Sequence, residues 1–176
     1  MKKYIPYCTA KSIYEIDTDF FKKIGISFLL IDLDNTLDSP HTAHPTIETK
    51  KLIKKIKDNG LIPIIISNNN RKRVSLYAND LGVEYLHHSF KPFTFRIKRY
   101  IKSKNISLKS VIIIGDQIMT DVLCANNLKV KCVLTSPLYE KEQLITFFNR
   151  KIDIHYRKKL DRLKLTDDWR AIYAKI

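Results

Sequence analysis

Apolar residues fall along this chain in two recurring patterns: short unbroken runs, and stripes spaced three or four residues apart. The runs are Phe28-Leu29-Leu30-Ile31, Leu61-Ile62-Pro63-Ile64-Ile65-Ile66, Val111-Ile112-Ile113-Ile114 and Val130 to Leu134, with a shorter one at Val83 to His87. Short runs without alternation read as strands buried on both faces, and Pro63 lies near a strand start, where a missing donor is tolerated. Between the runs lie the stripes. Pro45 opens one that turns Ile47, Leu52, Ile53 and Ile56 inward until Gly60, the punctuation expected of a helix. Further helical patterns cover about Arg71 to Leu81 with Gly82 as the stop, the basic stretch opened by Lys91-Pro92, and about Thr120 to Asn127. Strands alternating with helices through short loops predict an α/β fold with a parallel sheet covered on both faces.

The ends of the chain carry different patterns. Residues 1–27 read as a lead-in segment, with Ile13, Ile16 and Phe20 at helical spacing before Gly25. From Pro137 onward a basic helical extension is expected, with a long amphipathic helix from Gln143 to about Leu163, then Trp169 and Tyr173. A chain of 176 residues is long enough for one real core and too short for two ordinary ones. Residues 1–176 are therefore expected to form a single domain, its core spanning about 28–135.

Composition narrows the class. The hydrophobic content of 44% excludes disorder, and no apolar stretch approaches the ~20 residues that span a bilayer. Lys2 and Lys3 resemble a signal-peptide start, but Glu15, Asp17 and Asp19 interrupt the apolar region it would need, so a cytoplasmic location is expected. Cys8, Cys124 and Cys132 lack the close pairing of metal knuckles or disulfide frameworks and read as reduced packing residues. The net charge of +14 gives a field that attracts nucleic acid, anionic lipid surfaces or phosphorylated ligands without choosing among them.

Chemistry enters where the strands stop. Asp32 and Asp34 follow the first buried run, Ser67 and Asn68 the second, Lys91 the short third, and Asp116 with Asp121 the fourth. In a parallel sheet these ends face one way, so the residues converge on one crevice at the carboxyl edge. Carboxylates leaving a buried strand need a nearby cation. A hard ion such as magnesium takes one or two carboxylates together with phosphate and water, and Asp32 and Asp116 can supply them, with Asp34 adding its backbone carbonyl. Asp32 is then the candidate nucleophile, through an aspartyl-phosphate, and Asp34 the candidate acid and base. Ser67 would bind a phosphoryl oxygen, Lys91 would offset charge, and Asp121 would orient Lys91 or a metal-bound water. His41, His44, His87 and His88 lack ligand spacing and read as loop residues.

Four segments in order, Asp32-Leu33-Asp34-Asn35-Thr36, Ser67-Asn68-Asn69, Lys91-Pro92 and Gly115-Asp116-Gln117-Ile118-Met119-Thr120-Asp121, resemble the motifs of the haloacid dehalogenase (HAD) superfamily of aspartate-nucleophile phosphatases. The details resemble its subfamily IIIA of the YqeG type, which is similar to phosphatidylglycerophosphate phosphatases. The resemblance implies a three-layer Rossmann-like fold, a magnesium-dependent phosphomonoesterase, and a place in phosphatidylglycerol and cardiolipin synthesis.

Neither interval where such folds insert a cap domain has room for one: a loop and a helix follow Thr36, and one helix with a short strand separates Asn70 from Lys91. An open site suits a phosphate presented by a membrane or macromolecule. A phospholipid monoester at an anionic membrane surface, with the protein peripheral on its inner face, is the favoured reading. Nucleic-acid ends or soluble sugar phosphates are the alternative, and a scaffold that keeps the fold without activity is a further one. The sequence assigns no oligomeric state.

Overall fold

The computed structural model describes residues 2–139 and 147–176. Its centre is a six-stranded, all-parallel sheet in the order β1-β6-β5-β2-β3-β4. In chain order the elements are β1 (Cys8–Ala10), α1 (Thr18–Lys23), β2 (Phe28–Ile31), α2 (Ile47–Asp58), β3 (Ile62–Ile66), α3 (Arg71–Leu81) and β4 (Glu84–Leu86). Then come α4 (Phe95–Ser103), β5 (Val111–Gly115), α5 (Leu123–Leu128), β6 (Lys131–Thr135), α6 (Phe147–Arg162) and α7 (Trp169–Tyr173).

The unbroken apolar runs become strands whose alternate residues enter different layers. Leu29, Ile31, Ile65, Ile112 and Ile114 pack on one face with Phe20, Leu52, Ile53, Ile56, Val74 and Trp169. Leu30, Ile64, Ile66, Ile113 and Leu134 pack on the other with Ile97, Ile101, Val122, Ala125 and Leu160. The first layer is thus α1, α2, α3 and α7, and the second α4, α5 and α6. Both faces being apolar explains why no polar alternation marks the strands.

Three local expectations change. The lead-in segment read only as a helix; it also contributes β1, which pairs with β6 through Cys8, Thr9 and Ala10, before α1. The helix expected right after Lys91-Pro92 starts later, at Phe95, and the one expected at Thr120 is preceded by a wide π-type turn, Ile118–Val122. The expected start of the tail helix at Gln143 lies outside the described residues; the described part runs from Phe147 to Arg162. Residues 32–46 form the loop after β2, with no further element inserted there or between β3 and Lys91 beyond α3 and β4. No helix among the described residues is long and apolar enough to cross a membrane.

Chain order reverses around β2: β3 lies on one side and β5 on the other. A crevice opens at the carboxyl ends of strands at such a reversal, and the polar residues lie there.

Candidate active site

The site is assembled by three strand ends and one loop. Asp32 follows β2 directly, and its N–H donates to Ile114 O of β5 at 2.8 Å, which fixes the distance to Asp116 just beyond β5. Ser67 follows β3. The loop after β4 is zipped onto it: Ser67 N–H donates to Leu86 O at 3.0 Å, Ser89 N–H to Ser67 O at 2.9 Å and His88 N–H to Asn69 O at 2.9 Å. Asn68 completes the join. Its side-chain oxygen accepts from Lys91 N–H at 2.7 Å and from Ser89 Oγ at 2.9 Å, and its amide donates to Lys91 O at 2.9 Å. Asn68 is therefore a clamp on the backbone of Lys91.

Lys91 is the hub. Its Nζ donates to Asp32 Oδ1 at 2.5 Å, to Asp121 Oδ1 at 2.6 Å and to Ile66 O at 3.3 Å. Burial alone would lower its pKa, but Asp121 and Asp32 outweigh burial and hold the ammonium charged. Asp121 Oδ2 accepts from Gln117 N–H at 3.1 Å and Thr120 Oγ1 at 3.2 Å. Gly115 makes this possible: a Cβ there would stand 2.2 Å from Asp121 Cγ.

Carboxylate oxygens of Asp32, Asp116 and Asp121 all lie within 4.8 Å of one another, with one ammonium among them. Three negative charges against one positive leave a formal excess of two in a buried space. Burial, aided by Asp121 and Asp34 and opposed by Lys91, pushes the Asp32 carboxyl up to about 7. Burial and the neighbouring Asp32 and Asp121 raise Asp116 as well. Asp116 Oδ1 is buried without a hydrogen-bond partner among the described residues. A hard-oxygen donor set with uncompensated negative charge suits a divalent metal ion.

Asp34 takes a different position. Its carboxylate accepts from Arg73 Nη2 at 3.0 Å and from Asn69 Nδ2 at 2.9 Å, so its side chain belongs to the rim and not to the buried trio. Ser67 Oγ accepts from Asn69 N–H at 3.0 Å. Thr36 Oγ1 lies 3.4 Å from Asp32 Oδ2. The structure thus brings Asp32, Lys91, Asp116 and Asp121 into direct contact or close approach, with Asp34, Ser67 and Asn68 around them. The histidines stay out: His44 Nδ1 meets Asp80 at 2.5 Å on the surface.

Two supports are absent from the sequence reading. Arg73 also donates to Thr42 O at 2.5 Å and Ser39 O at 3.3 Å, tying the loop after β2 to α3. Asp153 and Arg157 of α6 brace the fourth segment: Asp153 Oδ1 accepts from Ile118 N–H at 2.6 Å, Arg157 Nε donates to Asp153 Oδ2 at 2.7 Å, and Arg157 Nη2 donates to Thr135 O at 2.9 Å and to Asp116 O. Nothing in the basic run Arg71-Lys72-Arg73 marks its third member. The (i, i+4) pair Asp153 and Arg157 was a usable signal.

A second buried carboxylate lies close by. Asp38 Oδ2 accepts from Tyr77 OH at 2.5 Å, Thr49 Oγ1 at 2.8 Å and Thr46 N–H at 3.1 Å. It pins the loop after β2 onto α2 and α3.

A family model described as mitochondrial PGP phosphatase matches residues 1–139. YqeG of Bacillus subtilis, described as a probable phosphatase, is 31% identical over 166 residues, covering 93% of each chain. The chloroplastic/mitochondrial phosphatidylglycerophosphate phosphatase 1 of Arabidopsis thaliana is 25% identical over 149 residues, which are 79% of this chain and 42% of the plant protein. Among solved structures, an uncharacterized Listeria monocytogenes protein superposes with a TM-score of 0.54 at 14% identity, over 68% of this chain and 85% of its own. A Xanthomonas campestris protein gives 0.52 at 14% identity, over 73% and 74%. These two show the fold. With a family model over most of its length and a relative this similar end to end, the chain belongs to the PGP phosphatase family of HAD-type phosphatases.

Proposed function

We propose that the protein hydrolyses phosphomonoesters through an aspartyl-phosphate on Asp32, with a phospholipid monoester of the phosphatidylglycerophosphate class as substrate. The observation that carries this reading is the buried contact of Asp32 and Asp121 with one ammonium, Lys91, beside the unpartnered oxygen of Asp116. Asp32 and Asp116 are the carboxylates that would hold magnesium, with the Asp34 backbone carbonyl as a further donor. Bound there, magnesium supplies charge that lessens repulsion between the phosphoryl oxygens and an ionised Asp32.

The chain's own groups do the rest. An Asp32 carboxylate oxygen attacks phosphorus as the bond to the leaving oxygen breaks, and Asp34 gives that oxygen its proton. Asp34, ionised again, takes a proton from water; the resulting oxygen attacks phosphorus, the bond to Asp32 breaks, and inorganic phosphate leaves. Rotation of the Asp34 side chain away from Arg73 is what its acid role requires. Lys91 keeps Asp32 oriented and offsets charge on the transferring group. Ser67, whose Oγ accepts from Asn69 N–H, donates to a nonbridging oxygen.

The uncapped mouth and the relatives named for phosphatidylglycerophosphate support the lipid substrate, and the net charge of +14 supports work at an anionic surface on the cytoplasmic side. The test is phosphate release from phosphatidylglycerophosphate, sugar phosphates and end-phosphorylated DNA. Release from the lipid that stops with chelator and in Asp32→Asn is expected. Release unaffected by chelator, or faster from DNA ends, would overturn the respective part.

A further inference from the structure

Lys91 reaches the buried trio from a loop that also carries exposed aromatic rings. Lys91 itself is buried, while Phe90, Phe93 and Phe95 around it are 47%, 67% and 60% exposed. Three large apolar rings on so short a stretch form a patch that a merely solvated loop does not need. The rings are grouped: Phe90 stacks on Phe95 at 5.9 Å and on His88 at 6.0 Å, and the Arg96 guanidinium lies 5.7 Å from the Phe90 centroid.

The charge beside them has one sign. No Asp or Glu occurs from Phe90 to Lys104. Helix α4 buries Ile97 and Ile101, which leaves Phe95, Lys98, Arg99 and Lys102 sharing the outward stripe at helical spacing; all four are exposed. Lys91 and Lys104 have acidic partners, in Asp32, Asp121 and Glu84. Among the described residues Arg96, Lys98, Arg99 and Lys102 have no ion-pair partner.

We propose that the loop from Phe90 to Phe95 and the outward face of α4 form a membrane-docking surface for an anionic bilayer. The phenylalanines enter the boundary between headgroups and acyl chains, and Lys98, Arg99 and Lys102 lie against the headgroups. Because Lys91 belongs to the same loop, docking brings the catalytic mouth to the plane where a lipid presents its phosphate. This inference rests on the phospholipid reading above and adds the surface that delivers the substrate. Nucleic acid fits the patch less well, since bases stack on free aromatic faces and the Phe90 ring is already stacked with Phe95 and His88.

The test is co-sedimentation of the full chain with phosphatidylcholine vesicles with and without phosphatidylglycerol, over a series of salt concentrations. Wild type is expected to bind the anionic vesicles far better. The double substitution Phe93→Ser and Phe95→Ser should lower partitioning at least about tenfold at any salt. Lys98→Glu with Arg99→Glu should lower it at least about tenfold at low salt, an effect that shrinks as salt rises. Both variants should release phosphate from p-nitrophenyl phosphate as wild type does, which also verifies folding. The inference is overturned if wild type does not prefer anionic vesicles, if the phenylalanine pair binds them as wild type does, or if wild type binds end-phosphorylated DNA more tightly and the same pair weakens that binding. Failure of wild type to release phosphate from any substrate would instead sink the phosphatase reading, and vesicle binding would still decide the docking surface.

Discussion

Two buried carboxylate centres belong to one loop, and they are built on opposite principles. Asp38 is surrounded by neutral donors, Tyr77, Thr49 and the Thr46 amide, and these satisfy it without any cation. Asp32 shares a single ammonium with Asp121 and has Asp116 beside it. The first centre is closed: nothing else is needed to keep its charge in place. The second holds more negative charge than its own residues neutralise, so it favours a proton or a metal ion. A structural carboxylate and the proposed nucleophile, six positions apart, are thus told apart by what their neighbours leave unmet.

Removing a charge should separate the two centres most sharply at Asp32. Asp32→Asn is expected to lower phosphate release by about 10³-fold or more while leaving the melting temperature equal or higher, because a like charge leaves a crowded buried site. Paired activity assays and thermal melts check this; a variant that loses both together would break the distinction. Asp38→Asn should do the reverse. It swaps a charged acceptor shared by Tyr77 and Thr49 for a neutral one and is expected to cost about 3 kcal/mol in urea unfolding, with turnover per folded molecule retained.

Acidity and metal sharpen the contrast further. With the Asp32 carboxyl raised from 3.8 to about 7, the folded metal-free protein keeps a proton between those values that the unfolded chain has released. Its stability therefore falls as pH rises through that window, by at most about 1.4 kcal/mol per pH unit for one proton. Magnesium competes for the same oxygens, so the melting temperature should rise more on adding it at pH 8 than at pH 5. An equal rise at both would argue against these carboxylates as its ligands. The smallest expected effect is at Arg157→Ala. Loss of its bonds to the Asp116 and Thr135 carbonyls should cost about 1–2 kcal/mol and raise the magnesium concentration needed for half-maximal activity.

The candidate centre was far more legible in the sequence than its supports. Asp32, Ser67 and Asp116 follow apolar runs directly and Lys91 comes a short loop after the third, and strand ends in a parallel sheet share an edge, so their meeting follows from topology. Strand β1 was not legible. Cys8–Ala10 is too short for a periodicity to show, and it is held partly from outside the sheet, with Thr9 N–H donating to Asp167 O at 3.0 Å. Arg73 was hidden for another reason: it is one of several cations at the start of α3, and only the loop after β2 selects which one turns inward. The tail read as a basic face, yet Asp153 and Arg157 use that helix to hold the turn that presents Asp116. Supports of this kind arise where separate elements pack: the spacing of Asp153 and Arg157 marks an ion pair on one helix, but not the turn that the pair holds.

Gly115 gives the centre a vulnerability of an unusual kind. A single added methyl group at this position would overlap Asp121 Cγ at 2.2 Å and evict that carboxylate from the ammonium it shares. Lys91 would then be left to Asp32 alone, tightening its grip on the proposed nucleophile. An alanine at 115 would therefore act as an inhibitor written into the chain, silencing the enzyme without removing any atom that takes part in the chemistry.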